Sequence, residues 1–138
     1  MKYIKYFFQF LLAIISFIIF KILGVNNSSN LSGKIFEFIG PYFRSKNLIY
    51  SNISKAYPNL DEKELKKITK AMWNNYGRVF SEYMFIKDFR NGKLSDKIEI
   101  VGKEYLDEIK NLNKKVVFIS GHFSNFELMA MYLEKSGI

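Results

Sequence analysis

From Tyr6 to Val25 the chain is an almost unbroken apolar run, interrupted at Gln9, Ser16 and Lys21 and preceded by Lys2 and Lys5. About 20 apolar residues cross a hydrocarbon core of roughly 30 Å, and the run meets that length with Lys21 snorkelling toward the interface. It reads as a retained single-pass anchor. A cleaved signal would need a small-residue cleavage site, for which Gly24-Val25-Asn26-Asn27 is a poor substitute, and a buried core helix is the third reading. Lysines on both sides leave the orientation undecided by charge. Asn26 to Gly33 is rich in Ser and Asn, the composition of a loop, and a boundary is expected there. Lys34 to Phe43 is aromatic and ends at Gly40-Pro41. It fits either a segment along the membrane surface beside Arg44 and Lys46 or a helix packed on the core.

The clearest helix is expected from Asp61 to Tyr83. Asp61 and Glu64 have capping-box spacing, and Leu60 and Leu65 stand where a hydrophobic staple would close. Leu65, Ile68, Met72, Tyr76, Val79 and Tyr83 recur at three and four residues and define an expected core face, with the lysines largely off it. Asn91-Gly92 marks a turn, Ile98 to Val101 a short candidate strand, and Glu104 to Ile109 a further helix. Val116-Val117-Phe118-Ile119 has the continuous apolar character of a strand buried on both faces of a parallel sheet. Ser120-Gly121 breaks it, and Phe126, Met129, Ala130 and Leu133 predict a helix beginning near Ser124 or Asn125 and ending before Gly137.

Composition narrows the chemistry. The 138 residues allow one modest domain plus an anchor, and 49% hydrophobic with 17% aromatic residues excludes a disordered polar chain. The absence of cysteine excludes disulfides, thiolate metal sites and a cysteine nucleophile. A net charge of +8 favours phosphate-bearing partners without choosing among them.

The single histidine, His122, falls in the turn after the second candidate strand, where reactive groups collect in open α/β sheets. Glu127 follows five residues later. On one continuous helix the two would point about 140° apart, so pairing needs His122 in the turn and Glu127 in the first helical turn. A carboxylate there can orient the imidazole and stabilise the imidazolium formed when the other nitrogen takes a proton. The plainer readings are a structural or exposed histidine, and Glu127 as the third residue of a capping box begun by Ser124. A zinc site lacks the further His or Cys it would need.

These residues resemble the mark of the lysophospholipid acyltransferase superfamily, His, four residues, then Asp or Glu, here His122-Phe123-Ser124-Asn125-Phe126-Glu127. More narrowly, Gly121 to Glu127 is similar to the G-H-x-x-N-W-E block of the late acyltransferases of lipid A biosynthesis, with Phe126 for the usual Trp. Asn52-Ile53-Ser54-Lys55-Ala56-Tyr57-Pro58, then Trp73-Asn74-Asn75-Tyr76-Gly77-Arg78 and Glu82, resemble further blocks of that family in order and spacing. Glu99 to Leu106 resembles its approach to the first core strand.

The resemblance implies an N-terminal transmembrane helix, residues 1–25, followed over residues 34–138 by the N-terminal part of an acyltransferase domain. The expected fold class is α/β, with helices leading into the first strands of a glycerol-3-phosphate-acyltransferase-like domain. It covers essentially the whole chain and the first half of the family's length, so an N-terminal fragment is expected. It further implies transfer of a fatty acyl group from acyl carrier protein to a hydroxyl of a lipid A precursor, with His122 and Glu127 catalytic and no metal or organic cofactor. The setting would be the bacterial inner membrane with the active site on the cytoplasmic side. Two other readings stand beside it: the same dyad serving another lipid or glycolipid acceptor, and a non-catalytic membrane-bound protein that binds anionic lipid. Nucleic acid is not an expected partner, because the basic residues are dispersed over amphipathic helices.

Overall fold

Gly24 decides the course of the N-terminal half. The computed structural model describes residues 2–112 and 115–138, and its first helix, α1 (Lys2–Ile39), is interrupted at Gly24 with φ 73° and ψ 168°. Only glycine takes that backbone conformation cheaply. In a straight helix Phe17 and Phe36 would stand about 28 Å apart along the axis. Here the rings of Phe17 and Phe36 lie 6.2 and 5.5 Å from the ring of Phe80, and Phe20 joins them at 6.3 Å. The helix is therefore sharply bent, and three aromatic rings hold both of its halves against one residue. The first half is long and apolar enough to cross a membrane.

The segment expected to be a loop, Asn26 to Gly33, is helical. Asn27 Nδ2 donates to the Leu23 carbonyl and Ser28 Oγ to the Val25 carbonyl, beside the bend. Ser28, Ser29, Ser32 and Gly33 are then buried. Their smallness is the physical reason: at spacings of four and one they make a flat stripe on which another backbone can lie closely, an effect that overrides weak helix propensity. Lys34 to Phe43 continues the helix and ends in a 3-10 turn, Gly40–Tyr42, with Pro41 in its first turn. One face of this segment packs inward while Phe38, Tyr42 and Phe43 stay exposed.

After α2 (Lys46–Ala56), α3 (Glu62–Glu82) begins at the expected capping box. The Glu64 amide donates to Asp61 Oδ1 at 2.7 Å and the Asp61 amide to Glu64 Oε2 at 2.9 Å. Asp61→Ala should lower stability by about 1 kcal/mol, the usual worth of such a cap. Thermal unfolding in detergent checks this, and an unchanged midpoint would show that the box contributes nothing.

The buried face of α3 differs from the apolar stripe read from the sequence. Leu65, Trp73, Gly77 and Ser81 are buried, whereas Ile68, Tyr76 and Tyr83 are exposed. Close approach to the small-residue stripe of α1 selects this rotation: a β-carbon at Gly77 would collide with the Ser32 carbonyl oxygen. Polar side chains line the same seam. Asn74 Nδ2 donates to Glu37 Oε1 at 2.6 Å, Arg78 Nε to Asn74 Oδ1 at 2.7 Å and Arg78 Nη2 to Asn30 Oδ1 at 2.8 Å, while Ser29 Oγ meets Glu82 Oε1 at 3.2 Å. Partner positions run in opposite directions along the two helices, so α1 and α3 are antiparallel here.

The chain forms two compact units, Met1–Met84 and Phe85–Ile138. In the second, α4 (Ile86–Asn91), a 3-10 turn (Ser95–Lys97), α5 (Lys103–Asn111) and α6 (Glu127–Lys135) follow one another. Phe85, Phe89 and Leu94 form its buried apolar centre. The Arg90 guanidinium pairs with Glu134, and Lys135 Nζ donates to the Arg90 carbonyl at 2.8 Å, joining α4 to α6.

The expected α/β architecture is not formed. Among the described residues there is no strand. Val116 to Ile119 and Ile98 to Val101 enter no ladder, and Val117 and Ile119 are 86% and 94% exposed. A strand exists only when a neighbour satisfies its N–H and C=O groups, and apolar side chains alone supply none of those bonds. The helices, by contrast, satisfy their backbones internally.

Candidate active site

His122 stands at the apex of a three-residue turn. The Phe123 amide donates to the Gly121 carbonyl at 2.8 Å, and His122 keeps a negative φ, which makes this an inverse γ-turn. Ser124 follows with φ 48°, the left-handed conformation that reverses the chain. From there the Leu128 and Met129 amides donate to the Asn125 and Phe126 carbonyls, and α6 opens with Glu127 as its first residue. The expected order, turn then helix start, is thus observed, with the helix beginning two residues after Asn125.

The imidazole is exposed and its ring lies 4.1 Å from the ring of Phe126, tilted by 51°. Phe126, the residue that departs from the resembled block, is therefore the aromatic surface on which His122 rests. Glu127 is half-buried at the helix N-terminus, where the helix dipole favours a negative charge. His122 and Glu127 share no hydrogen bond or ion pair in this structure. The alternative capping box is not formed either: Phe126, and not Ser124, precedes the helix, and no side chain caps it.

Beside the turn lies a largely apolar groove of about 550 Å³, lined by Ile98 to Gly102 on one side and by Phe126 with Met129 and Leu133 of α6 on another. Ser120, Gly121 and Phe123 also line it, whereas the imidazole does not. The two short apolar runs and the apolar face of α6 carry the signal for this groove, but the same apolar character equally predicts strand and core. The other blocks singled out in the sequence sit elsewhere: Asn74, Gly77, Arg78 and Glu82 form the seam between α1 and α3.

The model of a family described as bacterial lipid A biosynthesis acyltransferase matches residues 1–137. The chain belongs to the bacterial lipid A biosynthesis acyltransferase family. No curated protein and no solved structure matches it. As a lipid A biosynthesis acyltransferase family member, the chain keeps the His-x₄-Glu block at the exposed turn before α6, and it couples a membrane-length apolar helix to the α1–α3 seam. Family membership makes acyl transfer in lipid A biosynthesis its general activity, with a lipid A precursor as acceptor.

Proposed function

We propose that the chain serves a late acylation step, in which a fatty acyl group passes from acyl carrier protein to a hydroxyl of a 3-hydroxyacyl chain on the lipid A precursor. A nitrogen of His122 takes the hydroxyl proton, and the oxygen attacks the thioester carbonyl. The carbon–sulfur bond then breaks, and the carrier's thiolate leaves and receives the proton. Glu127 stabilises the imidazolium between those events. In resting enzymes such pairs are often loose and tighten in the complex with substrate, and the short turn between the two residues permits that closure. The observation that carries the proposal is the Gly121-to-Glu127 block, within a family match over residues 1–137.

The apolar groove beside the turn suits a hydrocarbon chain, and the net charge of +8 suits an acidic carrier protein or the acceptor's phosphates. The proposed setting is the bacterial inner membrane, held by the first half of α1, with the reaction on the cytoplasmic side. The test is transfer of labelled acyl groups from acyl carrier protein, in membranes carrying the chain, to a lipid A precursor and in parallel to a lysophospholipid. Preference for the precursor supports the proposal. Preference for the lysophospholipid, or transfer from another thioester only, would overturn the acceptor or the donor respectively.

A further inference from the structure

At the other end of the α1–α3 seam from the bend, a cavity of about 310 Å³ opens between the Gly40–Tyr42 turn, α2 and α3. Its size falls at the low end of small-molecule sites, roughly 300–1,000 Å³. Ile49 and Trp73 give it an apolar lining, and four cations, Arg44, Lys46, Lys66 and Lys70, surround it. Two carboxylates oppose them. Glu62 receives Lys66 at 3.3 Å and Lys46 at 3.5 Å, and Glu37 receives Lys70 at 3.2 Å. The contacts from Lys66 and then Lys46 hold the Glu62 carboxyl below the usual carboxylate range. Arg44 makes no ion pair among the described residues.

Two buried donors distinguish this cavity from a solvated basic surface. Trp73 is 9% exposed, yet its Nε1 has no hydrogen-bond acceptor, and neither has Thr69 Oγ1. Both residues line the cavity. The indole cannot turn away easily, because its ring is packed against Gly40, where a β-carbon would overlap it, and against the Tyr76 ring at 5.9 Å. A buried donor left unpaired costs about 1–3 kcal/mol, and buried polar groups are generally paired. A ligand with several acceptor oxygens and negative charge would meet the excess of cations, and a small shift of the groups that cover the two donors would bring its oxygens to them.

We infer that this cavity is a binding site for a phosphoryl group, with Arg44 and Lys70 donating from its rim and the buried donors Trp73 Nε1 and Thr69 Oγ1 reached when the groups that cover them shift. Arg44 can offer two parallel donors to phosphate oxygens, and the apolar lining receives the organic part of the ligand. A phosphodiester headgroup of an anionic lipid and a soluble phosphate share this chemistry. The site is independent of the reading of His122 and Glu127, and its test does not use acyl transfer.

Trp73 is the only tryptophan in the chain, so its fluorescence reports the cavity directly. The full chain in uncharged detergent micelles is titrated with inorganic phosphate and, separately, with short-chain phosphatidylglycerol, each against sodium chloride at matched ionic strength. A saturable emission change is expected, with its midpoint raised about tenfold or more by Arg44→Gln combined with Lys70→Gln, the scale of lost charge-assisted hydrogen bonds. Lys67→Gln, an exposed change outside the cavity, should leave the midpoint in place, and Glu62→Gln should lower it by freeing Lys46 and Lys66. Trp73→Phe, followed by phosphorus-31 line broadening, should weaken binding while circular dichroism stays unchanged. Saturation by both ligands, or by either alone, supports the site and names its source. A response that chloride reproduces, no saturation by either ligand, or equal midpoints in the Arg44/Lys70 and Lys67 variants would overturn it.

Discussion

His122→Ala is expected to reduce acyl transfer to the lipid A precursor by about 10²–10⁴-fold, the usual contribution of a positioned general base. The fold should not notice the change. The imidazole is exposed, and its ring contact is with Phe126. A loss of activity at an unchanged melting temperature therefore isolates chemistry from stability. Glu127→Gln keeps the side chain's shape and removes its charge, so it should reduce transfer by less. Measuring initial rates of labelled acyl transfer for the three proteins in the same membranes separates the roles. Wild-type rates in His122→Ala would remove the histidine from the mechanism. Equal losses in both variants together with a fallen melting temperature would make the pair structural.

Gly77→Ala is expected to destabilise the first unit, although alanine is the better helix former by about 1 kcal/mol. The added β-carbon would overlap the Ser32 carbonyl oxygen and come within 2.8 Å of Phe36 Cβ. The neighbour that matters is backbone and cannot swing aside, so α1 and α3 must separate. Overpacking of this kind costs about 1–3 kcal/mol. Separation also stretches the bonds among Glu37, Asn74, Arg78, Asn30, Ser29 and Glu82, which adds to the loss. With each 1 kcal/mol moving the midpoint by about 4–8 °C in a unit of this size, a drop of several degrees should follow. Asn75→Ala is the control. It lies on the exposed face of the same helix, where the propensity gain acts alone and the midpoint should rise slightly. A rise in both variants would show that the helices are not in close contact at Gly77.

The two experiments probe features that were unequally visible in the chain. The block from Gly121 to Glu127 was legible as a turn followed by a helix, because Gly121 and the apolar spacing after it act within a few residues. That His122 rests on Phe126 was not, since a histidine and an aromatic four apart in a turn can meet or part depending on the φ of Ser124 between them. Gly77 belongs to a recognisable motif, but its partner Ser32 lies in the segment whose composition suggests a loop. The stripe Ser28, Ser29, Ser32 and Gly33, set against Gly77 and Ser81, carried a readable signal of close helix packing.

By itself the sequence determined the membrane-length apolar helix, the cap at Asp61 and Glu64, the stop at Gly40-Pro41 and the order of turn and helix around His122. Each depends on contacts within about four residues or on total apolar length, and such terms are complete once the neighbours in the chain are known. Tertiary structure alone decided the rest: the bend at Gly24, the helical state of Asn26 to Gly33, the buried face of α3 and the unpaired course of Val116 to Ile119. In each of these the local preference is weak or divided. The outcome is set by what lies opposite, a carbonyl that admits only glycine, an aromatic ring shared by two half-helices, or, for an extended apolar run, the presence of a partner strand to receive its hydrogen bonds.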